Sequence, residues 1–137
     1  MSNHFDLVSQ HVAVKGLTAV VSTDNTALVS DTIDLQGTDG VMAILTLGTL
    51  SDASGATFDF QLFHGDASNM SDEGAAISDT DLLYGTAAQL TEITGDGAVQ
   101  QLGYRGAKRY LRAKLIVAGN SGNVPASEGI KRSRTRT

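Results

Sequence analysis

Turn-forming clusters interrupt this sequence so often that little room is left for a long helix. Groups of Gly, Asp, Asn and Ser recur at 22–25, 37–40, 51–55, 65–69, 95–97 and 119–122. Between them lie short runs of Val, Ile, Leu, Thr and Phe, residues that suit a pleated, half-buried surface. Several short strands at such intervals predict an all-β chain, an antiparallel β-sandwich of jelly-roll-like type. Residues 57–63 alternate, with Phe58, Phe60 and Leu62 on one face and Thr57, Asp59 and Gln61 on the other. That is the period of a strand with one face in the core. Ile33 and Leu35 point inward by the same reasoning. Residues 41–50 are apolar on both faces, as expected of a strand covered on both sides. Residues 98–104 and 108–118 read as a hairpin, with Gly103 and Gly106 supplying a bulge or a positive φ.

The predicted boundaries follow from these patterns. Residues 1–15 form an N-terminal arm that pairs outside the body, with Val12 and Val14 suited to an added edge strand. Residues 16–120 form the sandwich, and 121–137 form a C-terminal extension with a basic tail. The 65–89 stretch reads as a long loop with one short helical turn. No basic start followed by an apolar run marks a signal peptide, and nothing approaches the ~20 apolar residues of a membrane helix. With no Cys, neither a disulfide nor a thiolate metal site holds the fold, which is compatible with a reducing compartment.

A net charge of −5 hides a strong asymmetry. Residues 1–100 hold fourteen acids and one base, Lys15, giving −13; residues 101–137 hold nine bases and one acid, Glu128, giving +8. Either the two ends attract each other within the fold, or the basic end meets a partner.

The residues give no sign of catalysis. His4, His11 and His64 are the only histidines, and no G-x-S-x-G elbow accompanies them. They read as satisfied or exposed side chains. Asp72, Glu73, Asp79 and Asp81 cluster as calcium ligands would, but without EF-hand spacing, so solvated loop carboxylates are the expectation. Gly103-Tyr-Arg-Gly106 lacks the lysine and following helix of a phosphate loop and reads as a turn. No cofactor and no metal are expected.

The basic end carries the partner-contact candidates. In an extended 108–118 segment, Lys108, Tyr110, Arg112 and Lys114 share one face. Arg109, Leu111, Ala113, Leu115 and Val117 share the other. Three cations with an aromatic would suit a single-stranded nucleic acid. The acidic first hundred residues oppose a polyanion, so no nucleic acid is expected. Cross-strand pairing with acids such as Asp59, or an acidic patch on a neighbouring subunit, are the two remaining readings. Lys131, Arg132, Arg134 and Arg136 add four cations without periodicity, a segment expected to order only against a partner.

The segment order is similar to a group of small tailed-phage and prophage proteins described as structural, cement or decoration proteins, encoded beside the major capsid protein. The similarity runs over residues 24–120. It is carried by Asp31-Thr-Ile-Asp-Leu-Gln-Gly37, the 41–50 strand, 58–64, Asp81-Leu-Leu-Tyr-Gly-Thr86 and, most specifically, Gly103-Tyr-Arg-Gly-Ala-Lys-Arg-Tyr-Leu-Arg112. The C-terminus departs from that group, which tends to finish on another apolar strand. The resemblance implies a capsid cement or decoration protein in the virion head, made in the bacterial cytoplasm. Its partners would be the major capsid protein and copies of itself, in a trimer, with no membrane and no enzymatic step. A neck or tail subunit is the alternative within the virion. A carbohydrate-binding sandwich is the alternative outside it, though without Trp only Tyr84, Tyr104 and Tyr110 could form its platform.

Overall fold

A computed structural model describes residues 11–49, 56–78, 81–83, 88–91 and 99–134. They form ten strands and no α-helix among the described residues. In chain order these are β1 (His11–Ser22), β2 (Leu28–Val29), β3 (Ile33–Asp34), β4 (Thr38–Leu47), β5 (Thr57–Gly65), β6 (Leu82–Leu83), β7 (Ala88–Thr91), β8 (Val99–Tyr104), β9 (Tyr110–Ala118) and β10 (Val124–Arg134). Two antiparallel sheets result. One runs β1-β10-β4-β8-β6; the other runs β2-β9-β5-β7, with β3 also on β9.

Except between β2 and β3, the chain changes sheet at every step, so none of these pairings joins consecutive strands. This overturns the expected hairpin. β8 pairs with β4 and β6, whereas β9 pairs with β5 in the opposite sheet. The reason is the inward pattern of both strands. Leu102 and Tyr104 reach the core from one side and Leu111, Ala113, Leu115 and Val117 from the other. The link 105–109 therefore spans the two layers, ~10 Å apart. Gly103 and Gly106 do not take positive φ, which among the described glycines is confined to Gly37, Gly74 and Gly119. Gly106 is instead required by close approach, because a Cβ there would run into the Tyr104 hydroxyl.

The ends of the chain are also placed differently from expectation. β10 is no extension: it lies inside the first sheet, with Val12 opposite Arg132 on one side and Met42 opposite Lys131 on the other. Its inward residues Val124, Ala126 and Ile130 are buried. Residues 11–15, assigned by sequence to an arm outside the body, are the start of edge strand β1 and pair with β10 of the same chain. The long-loop assignment likewise misses two short strands, β6 and β7.

β5 and β9 carry the core as their alternation requires. Phe58, Phe60 and Leu62 face Val117, Leu115 and Ala113 across the pair, all buried. Val41, Ala43, Leu45 and Leu47 of β4 close the core from the other sheet. Their neighbours Met42 and Ile44 are only half-buried and Thr46 is exposed, so β4 is covered fully on one side only.

One core group breaks the apolar rule. Glu128 is 3% exposed, and neither carboxylate oxygen has a hydrogen-bond partner. It shares a small void with Leu17, Leu28, Leu45, Phe60 and Leu115. A Cβ on Gly16 would overlap its carboxylate, and β1 has an irregularity between Lys15 and Leu17 at that point. Burial pushes the carboxyl up to about 7; the Leu17 amide, close by but outside hydrogen-bond geometry, offsets this slightly and the Asp31 charge adds to it.

Candidate functional site

The basic residues of the last third fall into two groups. In β9 the outward residues Tyr110, Arg112 and Lys114 do share a face, as the alternation predicts. The acid they meet is not Asp59, which stands opposite Ile116 and has a buried oxygen without a partner. It is Glu73, from the loop after β5. Arg112 donates from Nε to Glu73 Oε2 and pairs through Nη2 with Oε1, both at 2.7 Å. Lys114 Nζ donates to the same Oε1 at 2.7 Å and lies 4.2 Å from the centre of the Phe63 ring. The three charged side chains are only 16–23% exposed. The Arg112 hydrogen bond, opposed by burial and supported by Lys114, holds the Glu73 carboxyl below its ordinary range.

That loop is fixed by its own carboxylates and by its apolar residues. Asp72 accepts the amides of Asp66 and Ala67 at 2.8 and 3.2 Å, which lowers its pKa. Met70 and Ile77 are buried, and the Ile77 amide donates to the Leu62 carbonyl. Asp72 and Glu73, considered above as calcium ligands, are thus engaged by amides and cations. Among the described residues no group of acids and histidines is arranged to hold a metal.

The second group surrounds an open cleft of about 680 Å³ at one end of the sandwich. Its walls are the start of β1, the turn between β3 and β4, the ends of β8 and β10, and the link 105–109. His11, Arg105, Lys108, Arg109 and Lys131 line it, together with the apolar Leu35, Val41 and Met42, and among the described side chains no carboxylate does. Tyr104 anchors the link. Its hydroxyl accepts the Lys108 amide at 3.1 Å, leaving its own proton for His64 Nδ1 at 2.7 Å. Burial is the main cause that raises the Tyr104 pKa. His64 meets the same ring edge-on, with centroids 5.5 Å apart.

The pairs formed here are more exposed than those of Glu73. Lys108 pairs with Asp66 at 2.8 Å, with both side chains about half exposed. Arg109 grips Asp34 through two bonds, at 3.1 and 3.0 Å, and also Gln36 at 2.8 Å. These hydrogen bonds, Arg109 to Asp34 and Lys108 to Asp66, lower both carboxyls. Alternation placed Arg109 on the inward face, but β9 begins at Tyr110, so the side chain is outside the strand and exposed. Arg132 Nη1 donates to the Asp34 carbonyl at 2.7 Å. Lys131, half-buried, has no ion pair among the described residues. The backbone of Arg134 pairs with Thr38, and Arg136 lies outside the described residues.

Of the eight contact candidates, the fold therefore brings Lys108 and Lys131 together. It takes Arg112 and Lys114 away to a half-buried cluster with Glu73 on the outer face of β9. His11, Arg105 and Arg109 join the cleft although sequence did not select them. Only the adjacency of Arg105 and Arg109 to the two glycines of the link hinted at it.

No family model matches this chain, and no curated protein matches it. Solved structures share its fold. The PBSX exported protein XepA aligns over 100% of this chain at TM-score 0.57 and 14% identity, and this chain spans 41% of XepA. VP2 of infectious bursal disease virus, in a subviral particle, aligns over 92% at TM-score 0.51 and 7% identity, with 33% of VP2 covered. The SPBc2 prophage-derived protein YomS aligns over 90% of this chain and 93% of its own at TM-score 0.49 and 9% identity. At such identities the likeness is one of fold: a two-sheet, all-β sandwich.

Proposed function

We propose that this chain is a non-catalytic structural protein of a tailed-phage virion, a cement or decoration protein that binds the major capsid lattice and stabilises the head. The carrying observation is the contrast within its basic residues. Arg112 and Lys114 share the half-buried Glu73, while Lys108 and Arg109, in exposed pairs, and Lys131, unpaired among the described residues, stand around an open cleft that no described carboxylate lines. A binding surface of that kind gains partner choice and orientation from charge complementarity. Support also comes from the segment resemblance above and from a fold shared with VP2, which occurs in a subviral particle.

Many weak contacts suffice for such a role, because each copy held in a lattice raises the effective concentration of the next contact. A trimer, implied by the resemblance, multiplies the effect threefold in valence. The test is imaging of particles made with and without the protein. Extra density on the head lattice is the expected result; density confined to the neck or tail overturns the head assignment.

A further inference from the structure

We propose that the cleft holds an extended acidic segment of a partner protein, its carboxylates on Lys131, Lys108 and Arg109 and its apolar side chains on Leu35 and Met42. This rests on the cement reading above and names the chemistry of its contact.

The charge arrangement selects an anion. Lys131 is half-buried without a counter-ion among the described residues, so an incoming carboxylate gains its full attraction and leaves no other pair broken. Lys108 and Arg109 are tied to Asp66 and Asp34 by exposed pairs, which contribute little to stability and exchange partners readily.

The form of the anion follows from what the cleft lacks. A compact phosphate is best held by a cradle of backbone amides. Here the amides of Arg105, Lys108 and Arg109 already donate to the Asp81 carbonyl, the Tyr104 hydroxyl and Asp66 Oδ1. The side-chain cations Lys108, Arg109 and Lys131 stand apart from one another along the lining, which suits separate carboxylates. A nucleic acid wants an exposed aromatic for stacking. Among the described residues Tyr104 is the one Phe, Tyr or Trp that lines the cleft, it is 4% exposed, and the chain is net acidic. Mixed walls, cationic beside Leu35, Val41 and Met42, match a peptide whose acidic and apolar residues alternate along an extended backbone.

The experiment uses the full chain and a fluorescein-labelled hexapeptide of alternating Glu and Val, read by fluorescence anisotropy. Saturable binding that weakens with salt is expected, with Lys131→Glu and Lys108→Glu each costing about tenfold in Kd. Lys15→Gln, on a cation paired with Asp31 away from the cleft, leaves Kd unchanged. Thermal melts of each variant confirm folding. Absence of saturable binding, binding unchanged in Lys131→Glu, or equal displacement by hexathymidylate or inorganic phosphate overturns the proposal. Purified heads separate the two readings. Wild-type protein that binds the peptide but leaves heads bare overturns the cement assignment alone. Lys131→Glu protein that decorates heads as well as wild type overturns the cleft as the contact and leaves the cement assignment standing.

Discussion

The interior of the sandwich and its basic end treat charge in opposite ways. In the body, Glu128 is buried without a partner and Glu73 is half-buried between two cations. At the end, Lys108 and Arg109 hold acids in exposed pairs and Lys131 holds none among the described residues. Sealed charges act strongly on stability because little solvent screens them, whereas exposed ones exchange partners at small cost. On the reading proposed above, stability is set in the body and recognition at the end.

Glu128 gives the largest test of that division. Its carboxyl is raised to about 7 from 4.5. The folded state thus binds a proton that the unfolded chain releases between those values, so stability falls as pH rises through the window. The full penalty, about 3 kcal/mol, applies above roughly pH 7.5 and disappears below about 4.5. The Asp31 charge acts on this site, and Asp31 is itself paired with Lys15. Glu128→Gln should raise urea stability by about that amount at alkaline pH and leave it unchanged near pH 4.5. An equal gain at both ends of the range would show that packing, not ionisation, makes the difference.

Glu73→Gln is next. It strands Arg112 and Lys114 half-buried with a neutral neighbour, at a loss of about 2 kcal/mol in chemical denaturation. Acidic-peptide binding should not change, and a binding defect would join the two regions that the structure separates. The lowered carboxyls of Glu73 and Asp34 act in the sense opposite to Glu128: their stabilisation is present above their ordinary pKa and is lost as pH falls below it. The two slopes oppose each other, so the summed contribution of these groups is most favourable just above the ordinary carboxyl range, where Glu73 and Asp34 are ionised and Glu128 is still protonated.

The cleft should give the mirror image. Lys131→Ala is expected to change stability by less than about 0.5 kcal/mol while weakening the acidic peptide severalfold. Asp34→Asn should have the smallest effect, releasing Arg109 and tightening the same peptide about twofold in anisotropy titrations. A tightening that survives high salt would mean that Arg109 acts by shape and not by charge.

Much of the fold was legible because strand alternation is a local property. The inward set of β5 and of β9 follows from Phe58, Phe60, Leu62 and from Leu111, Ala113, Leu115 without knowledge of any partner. Partner choice was not local. β8 and β9 are close in sequence and look like a hairpin, yet each pairs with a distant strand. The mixed composition of β10, with Glu128, Gly129 and Lys131 among its apolar residues, hid a strand that the middle of a sheet accepts because its neighbours supply the ladder.

By itself the sequence determined an all-β chain with an acidic first hundred residues and a basic last third, since turn chemistry, side-chain period and charge are written residue by residue. Only the tertiary structure decided which bases meet acids. Glu73 reaches Arg112 and Lys114 across about forty residues because the loop after β5 folds back over β9. Lys108 and Lys131 come to one cleft because β8 and β10 end on the same side of the sandwich. Charge interactions depend on distance and solvent access, which no linear spacing encodes once the chain changes sheet at nearly every turn.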